Sequence, residues 1–388
     1  MPDDAPLLLD VTRLIWRRWK GRHPTGIDRV CLAYLRHFGG RAQAVVQHER
    51  FRRILDRKAS VELFDLLDAP TGRFRTRLAT KVLRNLTGYI RNGNGRLYLN
   101  VGHTGLDSPG LRSWVSRSGV RPIYLVHDLI PMTHPQFCRP GESRRHEERM
   151  RTVLGTGAGV IANSEATLGT LGQFARSEGV PMPPGLTAPL GSKVLRPSVC
   201  EGQSARPSFV ILGTIEGRKN HLLLLEIWSR LIDRFGSDAP QLLIIGQRGW
   251  QAEAVFEILA RSDKLRGHVV ELDDCSDEQL AQHLATARAL LFPSHAEGYG
   301  LPLVEALGAG VPVLASDLPV FRELCGDVPD YLPTRDSSAW EAAILDYARP
   351  DGSARAAQLQ RMKGFEPPSW EAHFTLVERW LSTLESTA

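Results

Sequence analysis

Ser208-Phe209-Val210-Ile211-Leu212-Gly213-Thr214-Ile215-Glu216-Gly217-Arg218-Lys219-Asn220 opens as a short apolar run and breaks at a glycine. From Pro207 onward the same alternation repeats, with apolar runs at Leu242–Ile245, His268–Leu272, Ala289–Phe292 and Val311–Leu314 separated by longer amphipathic segments. Short aliphatic runs of this kind suit parallel strands buried on both faces, and the segments between them suit crossover helices. Five such runs predict one doubly wound α/β domain over 207–369. The first half repeats the pattern more loosely, with candidate strands at Leu7–Val11, Ala44–Gln47, Leu97–Val101, Ile123–Val126 and Val160–Ala162. It predicts a second Rossmann-like α/β domain over 1–195. The linker is placed at Ser192–Arg206, which carries Pro197 and Gly202 and has no sustained periodicity. After Pro367-Pro368, the spacing of Phe374, Val377, Trp380, Leu381 and Leu384 predicts a closing amphipathic helix.

Composition narrows the class. The chain has 388 residues, 42% hydrophobic and 23% charged, which are ordinary globular values that exclude collagen-like, coiled-coil and disordered readings. Apolar stretches such as Leu222–Leu225 are far short of the roughly 18 residues a membrane-spanning helix needs. The acidic start Met1-Pro2-Asp3-Asp4 is unlike a secretory leader, so a cytoplasmic location is expected. Five dispersed cysteines without a C-x-x-C pattern are read as reduced thiols, with neither disulfides nor a zinc cluster. The net charge of +5 conceals an asymmetry: residues 1–200 hold 31 Lys and Arg against 16 Asp and Glu, a net +15, which leaves −10 for the rest. The first half is therefore expected to face something anionic: phospholipid headgroups, a phosphorylated acceptor or nucleic acid. Nucleic acid is set aside, because no recognition motif accompanies the sequence pI of about 9.0. The basic run from Arg73 to Arg96 interleaves apolar residues and suits a helix docked on an anionic membrane, or equally a solvated helix face.

The stretch His295-Ala296-Glu297-Gly298-Tyr299-Gly300-Leu301-Pro302-Leu303-Val304-Glu305-Ala306 follows a predicted strand and leads into a predicted helix. Glycines before a helix leave backbone N–H groups, those near Gly300 and Leu301 included, free to meet a phosphate where the helix dipole is favourable. Pro302 suits the first helical turn. Glu297 sits in the loop and Glu305 about two turns on, so one carboxylate can meet a sugar and the other a ribose. Taken alone, two glutamates are as well explained by solvated positions. Upstream, Gly213 and Thr214 close a strand end, and Arg218 with Lys219 places positive charge where a diphosphate would lie.

Together these residues resemble retaining glycosyltransferases of family 4, whose E-x7-E signature the Glu297–Glu305 stretch is similar to and whose G-T-x-E-x-R-K-N segment Gly213–Asn220 matches. The likeness continues through Gly308–Val313, Ser316-Asp317, Gly246–Trp250, Asp273–Leu280 and Phe321-Arg322-Glu323. In the first half, Thr25-Gly26-Ile27-Asp28-Arg29 resembles the glycine loop near the acceptor. Val126–Pro131 resembles the His-Asp motif, and Ala162–Thr167 the serine-rich segment. The resemblance implies a GT-B fold: two Rossmann-like domains facing a cleft, with a C-terminal helix (370–388) crossing back to the first. It implies a donor site of Gly213, Thr214, Arg218, Lys219, Glu297, Gly298, Gly300, Leu301 and Glu305, with His127 beside the donor sugar and Gly26 and Ile27 toward the acceptor. It further implies a retaining, metal-independent hexosyltransferase without a cofactor, using a GDP- or UDP-sugar and a saccharide or lipid-linked acceptor, and it leans toward mannosyltransferases of bacterial surface polysaccharide. The absence of a D-x-D pair agrees with that, and no G-x-G-x-x-G follows either first strand as a nicotinamide enzyme would require. A sugar-nucleotide epimerase and a non-catalytic nucleotide-sugar scaffold remain as alternatives. His103 has no motif around it and is read as a packed histidine.

Overall fold

The computed structural model describes residues 5–21, 25–48, 51–69, 78, 92–193, 195 and 206–386. Most of the basic Arg73–Arg96 run, most of the expected Ser192–Arg206 linker, and Cys200 lie outside them. The chain divides into two compact units, one of residues 1–132, 143–190 and 370–388, the other of 133–142 and 191–369.

The first unit is built on strands β1 (Leu7–Asp10), β2 (Ala42–His48), β3 (Phe51–Ile54), β4 (Leu97–Asn100), β5 (Arg121–Val126), β6 (Gly159–Ala162) and β7 (Gly185–Thr187). Their order is β3-β2-β1-β4-β5-β6-β7, and every pairing is parallel except β2 with β3. The helix Trp370–Ser386 completes this unit and buries Phe374, Val377, Leu381 and Leu384, as their spacing predicted. Its His373 donates from Nδ1 to the carbonyls of Ala188 and Pro189, at 3.2 and 3.0 Å, and Nε2 accepts from the Tyr34 hydroxyl at 2.9 Å. Burial lowers the His373 pKa to about 4, which keeps this tautomer neutral.

The second unit carries β8 (Ser208–Leu212), β9 (Gln241–Ile245), β10 (Val269–Leu272), β11 (Ala289–Phe292), β12 (Val313–Ser316) and β13 (Asp330–Leu332), all parallel, in the order β10-β9-β8-β11-β12-β13. Phe209, Ile211, Leu242, Ile244, Leu291 and Leu314 form one face of its core. Leu224, Trp228 and Leu231 of the helix His221–Phe235 cover that face, together with Trp340, Ile344 and Tyr347 of Ser337–Ala348.

Three strands escaped the sequence reading, and one was displaced. β3, β7 and β13 are edge strands of three or four residues, too short for an alternation to declare itself. The run expected at Val311–Leu314 pairs from Val313 instead, because Pro312 has no N–H and offers the ladder only its carbonyl, which accepts from Leu290 N–H at 2.8 Å. No helix of the described residues is long and apolar enough to cross a membrane. Among the described residues, Cys31, Cys138, Cys275 and Cys325 form no disulfide.

Phe374 is buried and stacks on His37 at 3.9 Å, with Tyr34 edge-on at 5.2 Å. Phe374→Ala is expected to cost roughly 3–5 kcal/mol. Thermal melting should show the loss, and a near wild-type melt would show that the terminal helix is not integral to the first unit.

Candidate functional site

In parallel sheets, ligand-binding loops gather at the carboxyl ends of the strands. At the end of β8, Gly213 adopts φ +129°, and at the end of β9, Gly246 adopts φ +156°. A Cβ on Gly246 would stand 2.1 Å from the Gly213 carbonyl oxygen, so only glycine lets the two strand ends close this tightly. The chain then makes a single 3-10 turn over Gly217–Lys219, and Asn220 takes a left-handed conformation at φ +58° before the helix His221–Phe235. This compact turn directs the Arg218 and Lys219 side chains back to the strand end.

The loop after β11 meets the same place. The His295 N–H donates to the Arg218 carbonyl at 2.7 Å and ties the two loops together through the backbone. Glu297 lies between both cations, with Oε2 2.7 Å from Arg218 Nη1 and Oε1 2.6 Å from Lys219 Nζ. Ser294 donates its hydroxyl to Glu297 Oε1 at 2.8 Å, and Arg218 reaches Glu216 at 2.7 Å and the Ala296 carbonyl at 2.9 Å. Lys219 Nζ stands 4.4 Å from the Phe292 ring centroid.

The electrostatics follow from this packing. Burial opposes the Glu297 carboxylate, but Arg218 and Lys219 outweigh it and hold the pKa at about 2. Burial lowers the Lys219 pKa against the pull of Glu297, and burial raises that of Glu216. Two carboxylates, Glu216 and Glu297, thus balance two cations, Arg218 and Lys219.

The loop ends at Gly300, at φ +116°, where a Cβ would meet the Phe321 ring at 2.8 Å. The helix Leu301–Gly308 follows with Pro302 in its first turn and no side-chain cap, as the sequence reading expected. Glu305 is buried on this helix, and its Oε1 accepts from the Lys193 N–H at 3.1 Å. The structure therefore brings Gly213, Arg218, Lys219 and Glu297 together, places Gly298 in the same loop, and sets Glu305 within the helix that the loop opens. Thr214 packs beside Gly249, where an added Cβ would stand 2.7 Å from its methyl group.

In the first unit, His127 follows β5 and is buried. Its Nε2–H donates to the Val101 carbonyl at 2.7 Å, which leaves Nδ1 as the acceptor of a neutral ring whose pKa burial lowers to about 4. Asn163 fixes the strand end by donating to the His127 carbonyl at 2.8 Å, and Ser164 caps the helix Glu165–Ser177. His103, read from sequence as mere packing, stands 5.1 Å from His127 between ring centroids and holds φ +55°. Its left-handed backbone, between Gly102 and Gly105, left no signature beyond those two glycines. Gly26 and Ile27 are not in an open loop. They form the first turn of the helix Gly26–Phe38, because Asp28 reaches back to accept from the Thr25 N–H at 2.7 Å.

Residues 206–349 match the family model of glycosyl transferases group 1, so the second unit carries a glycosyl transferases group 1 domain. The chain is 30% identical over 226 residues to the serotype-specific mannosyltransferase WbdA of Escherichia coli, spanning 53% of this chain and 27% of that protein. It is 32% identical over 160 residues to the O-antigen chain mannosyltransferase B of Escherichia coli, over 41% of this chain and 42% of the relative. It thus spans less than half the length of either relative. Among solved structures, sucrose-phosphate synthase from Thermosynechococcus elongatus superposes with a TM-score of 0.64 over 99% of this chain and 100% of its own, at 17% identity. HepE of Anabaena in complex with UDP-glucose gives 0.63 over 97% and 99%, at 15% identity. These likenesses show a GT-B fold.

Because the Glu297 pKa lies below the usual 4.5, the stability this carboxylate contributes is complete above that value and is lost as the pH falls through about 2. Glu297→Gln should flatten this acid limb in denaturant titrations. It should also lower stability at neutral pH by about 3–5 kcal/mol, since Arg218 and Lys219 lose their shared partner. An unchanged acid limb would show that the ion cluster does not persist in solution.

Proposed function

We propose that the protein is a retaining glycosyltransferase that moves a hexose, foremost mannose from GDP-mannose, to a saccharide or lipid-linked saccharide acceptor in polysaccharide assembly. The observation that carries this reading is the buried Arg218–Glu297–Lys219 cluster, at the strand ends of a domain matching glycosyl transferases group 1. The names of the Escherichia coli mannosyltransferases support the sugar, and the UDP-glucose complex of HepE keeps a UDP-sugar as the second reading. An epimerase or a binding scaffold of the same fold ranks after both.

In this proposal the donor diphosphate lies against Arg218 and Lys219, with the Leu301 backbone N–H adding to its cradle. Glu297 accepts from sugar hydroxyls and Glu305 from the ribose. Charge on the departing phosphate grows as the sugar–phosphate bond lengthens, so the two cations stabilise the transition state more than the bound donor. The first unit serves the acceptor through His127 and the Thr25–Asp28 turn. The acceptor hydroxyl forms its bond to the anomeric carbon on the face the phosphate leaves, and the leaving phosphate oxygen takes its proton. Configuration is thereby retained, with no protein nucleophile and no metal required.

The test follows nucleoside diphosphate release from a panel of GDP- and UDP-sugars, with and without EDTA. One donor should turn over in EDTA, and both Glu297→Ala and Lys219→Ala should reduce that turnover about a hundredfold or more. Near-normal turnover in Lys219→Ala would overturn the assignment. A panel in which nothing turns over yet one nucleotide raises the melting temperature would favour the scaffold.

A further inference from the structure

A second cationic site lies wholly within the first unit. The helix Thr12–Trp19 and the residue after it place Arg13, Trp16, Arg17 and Lys20 at i, i+3, i+4 and i+7, on one face. That face and Gly102, His103 and Thr104 line a cavity of about 280 Å³. We propose that this cavity is a phosphoryl-binding pocket that takes the phosphate of an anionic acceptor, an inference that rests on the transferase reading above and names its acceptor class.

Charge is the first support. Arg13 and Arg17 both bind the buried carboxylate of Asp28 through Nε, at 2.7 and 2.6 Å. Arg13 also donates from a terminal nitrogen to the Thr25 hydroxyl at 3.4 Å, whereas the terminal nitrogens of Arg17 have no partner among the described residues. Lys20 has no carboxylate among them either, and stands 5.4 Å from the Trp16 ring centroid. Among the described residues the three cations of this face have the one Asp28 carboxylate between them, a surplus that a purely structural pairing would not need. Guanidiniums fixed in this way suit the tetrahedral oxygens of a phosphate.

The floor is the second support, because it is held in place and left unsatisfied. Asn100 donates to the Thr104 carbonyl at 2.9 Å and accepts from the Thr104 N–H at 3.2 Å, clamping the loop from both sides. Gly102 admits Arg13 over the loop, since a Cβ there would stand 3.0 Å from the Arg13 Cβ. His103 is held at φ +55°, which L-residues adopt rarely and at a cost. Its Nε2 and the Thr104 Oγ1 are both buried without a hydrogen-bond partner. Unpaired buried polar atoms are uncommon in folded proteins and are relieved by a ligand that bonds them. Trp16, 41% exposed and stacked on His48 at 5.6 Å, adds an apolar wall suited to the C–H face of a sugar.

The test measures binding by calorimetry in an Arg218→Gln background, which disables the cation pair of the second unit. Mannose 1-phosphate and farnesyl diphosphate are the probes, and methyl α-mannoside is the neutral control. Lys20→Gln and Arg17→Gln should each weaken phosphate-probe binding about tenfold, the loss expected for one charged hydrogen bond. The neutral sugar should show no such dependence. Lys20→Gln leaves both Asp28 contacts intact, so it remains informative if Arg17→Gln melts early. Preference for mannose 1-phosphate assigns the phosphate to a soluble sugar phosphate, and preference for farnesyl diphosphate assigns it to a lipid carrier; either supports the pocket. Phosphate binding indifferent to both substitutions overturns it and leaves the donor reading standing, because that reading is judged separately by Glu297-dependent donor turnover. Conversely, a silent donor panel with intact Lys20-dependent phosphate binding would sink the transferase reading alone.

Discussion

Lys219 is 5% exposed, and a lone ammonium so deeply buried would lose its proton more readily than it would hold a charge. The Glu297 carboxylate 2.6 Å away keeps it charged, Arg218 shares the same carboxylate, and neither loop could keep its ionised side chain buried without the other. Their meeting depends on the parallel register of β8 with β11, which pairs Phe209 with Ala289 and Val210 with Leu290. It depends also on the bond from the His295 N–H to the Arg218 carbonyl, and on glycines 213 and 246, whose missing side chains allow the neighbouring strand ends to touch. A buried ion cluster is a poor way to gain stability, because desolvation offsets most of its attraction. In the proposed function its value lies in charge fixed in position before the donor arrives.

The second unit was legible in the sequence because its chemistry sits where backbone rules are strict. The apolar run Ala289–Phe292 could only be a buried strand, the glycines after it could only open a turn, and Pro302 fitted only the start of a helix. Arg218, Lys219 and Glu297 therefore fell at the carboxyl ends of strands of one parallel sheet. The pairing of all three was not legible, since it rests on side-chain directions set by the 3-10 turn at Gly217–Lys219 and by the left-handed Asn220.

The first unit was harder to read for reasons particular residues make plain. Asp28 stands in the segment that resembles a glycine loop, yet its carboxylate starts a helix there and gathers Arg13 and Arg17 from 15 and 11 residues away. His103 had no motif, because its place is set by the bonds of Asn100 to the neighbouring Thr104 and by its packing beside His127. The strand Phe51–Ile54 was missed because its antiparallel edge position is set by β2. Non-local side-chain bonds of this kind leave little periodic trace in a sequence, whereas parallel strands and glycine turns leave much.

In the proposed function the strand-end cations of the second unit hold a diphosphate. A crystal structure of the protein with a bound nucleoside diphosphate should show phosphate oxygens within hydrogen-bond distance of Arg218 and Lys219, with the nucleoside ribose on Glu305. A nucleotide seated elsewhere, with Glu297 still holding both cations, would contradict it.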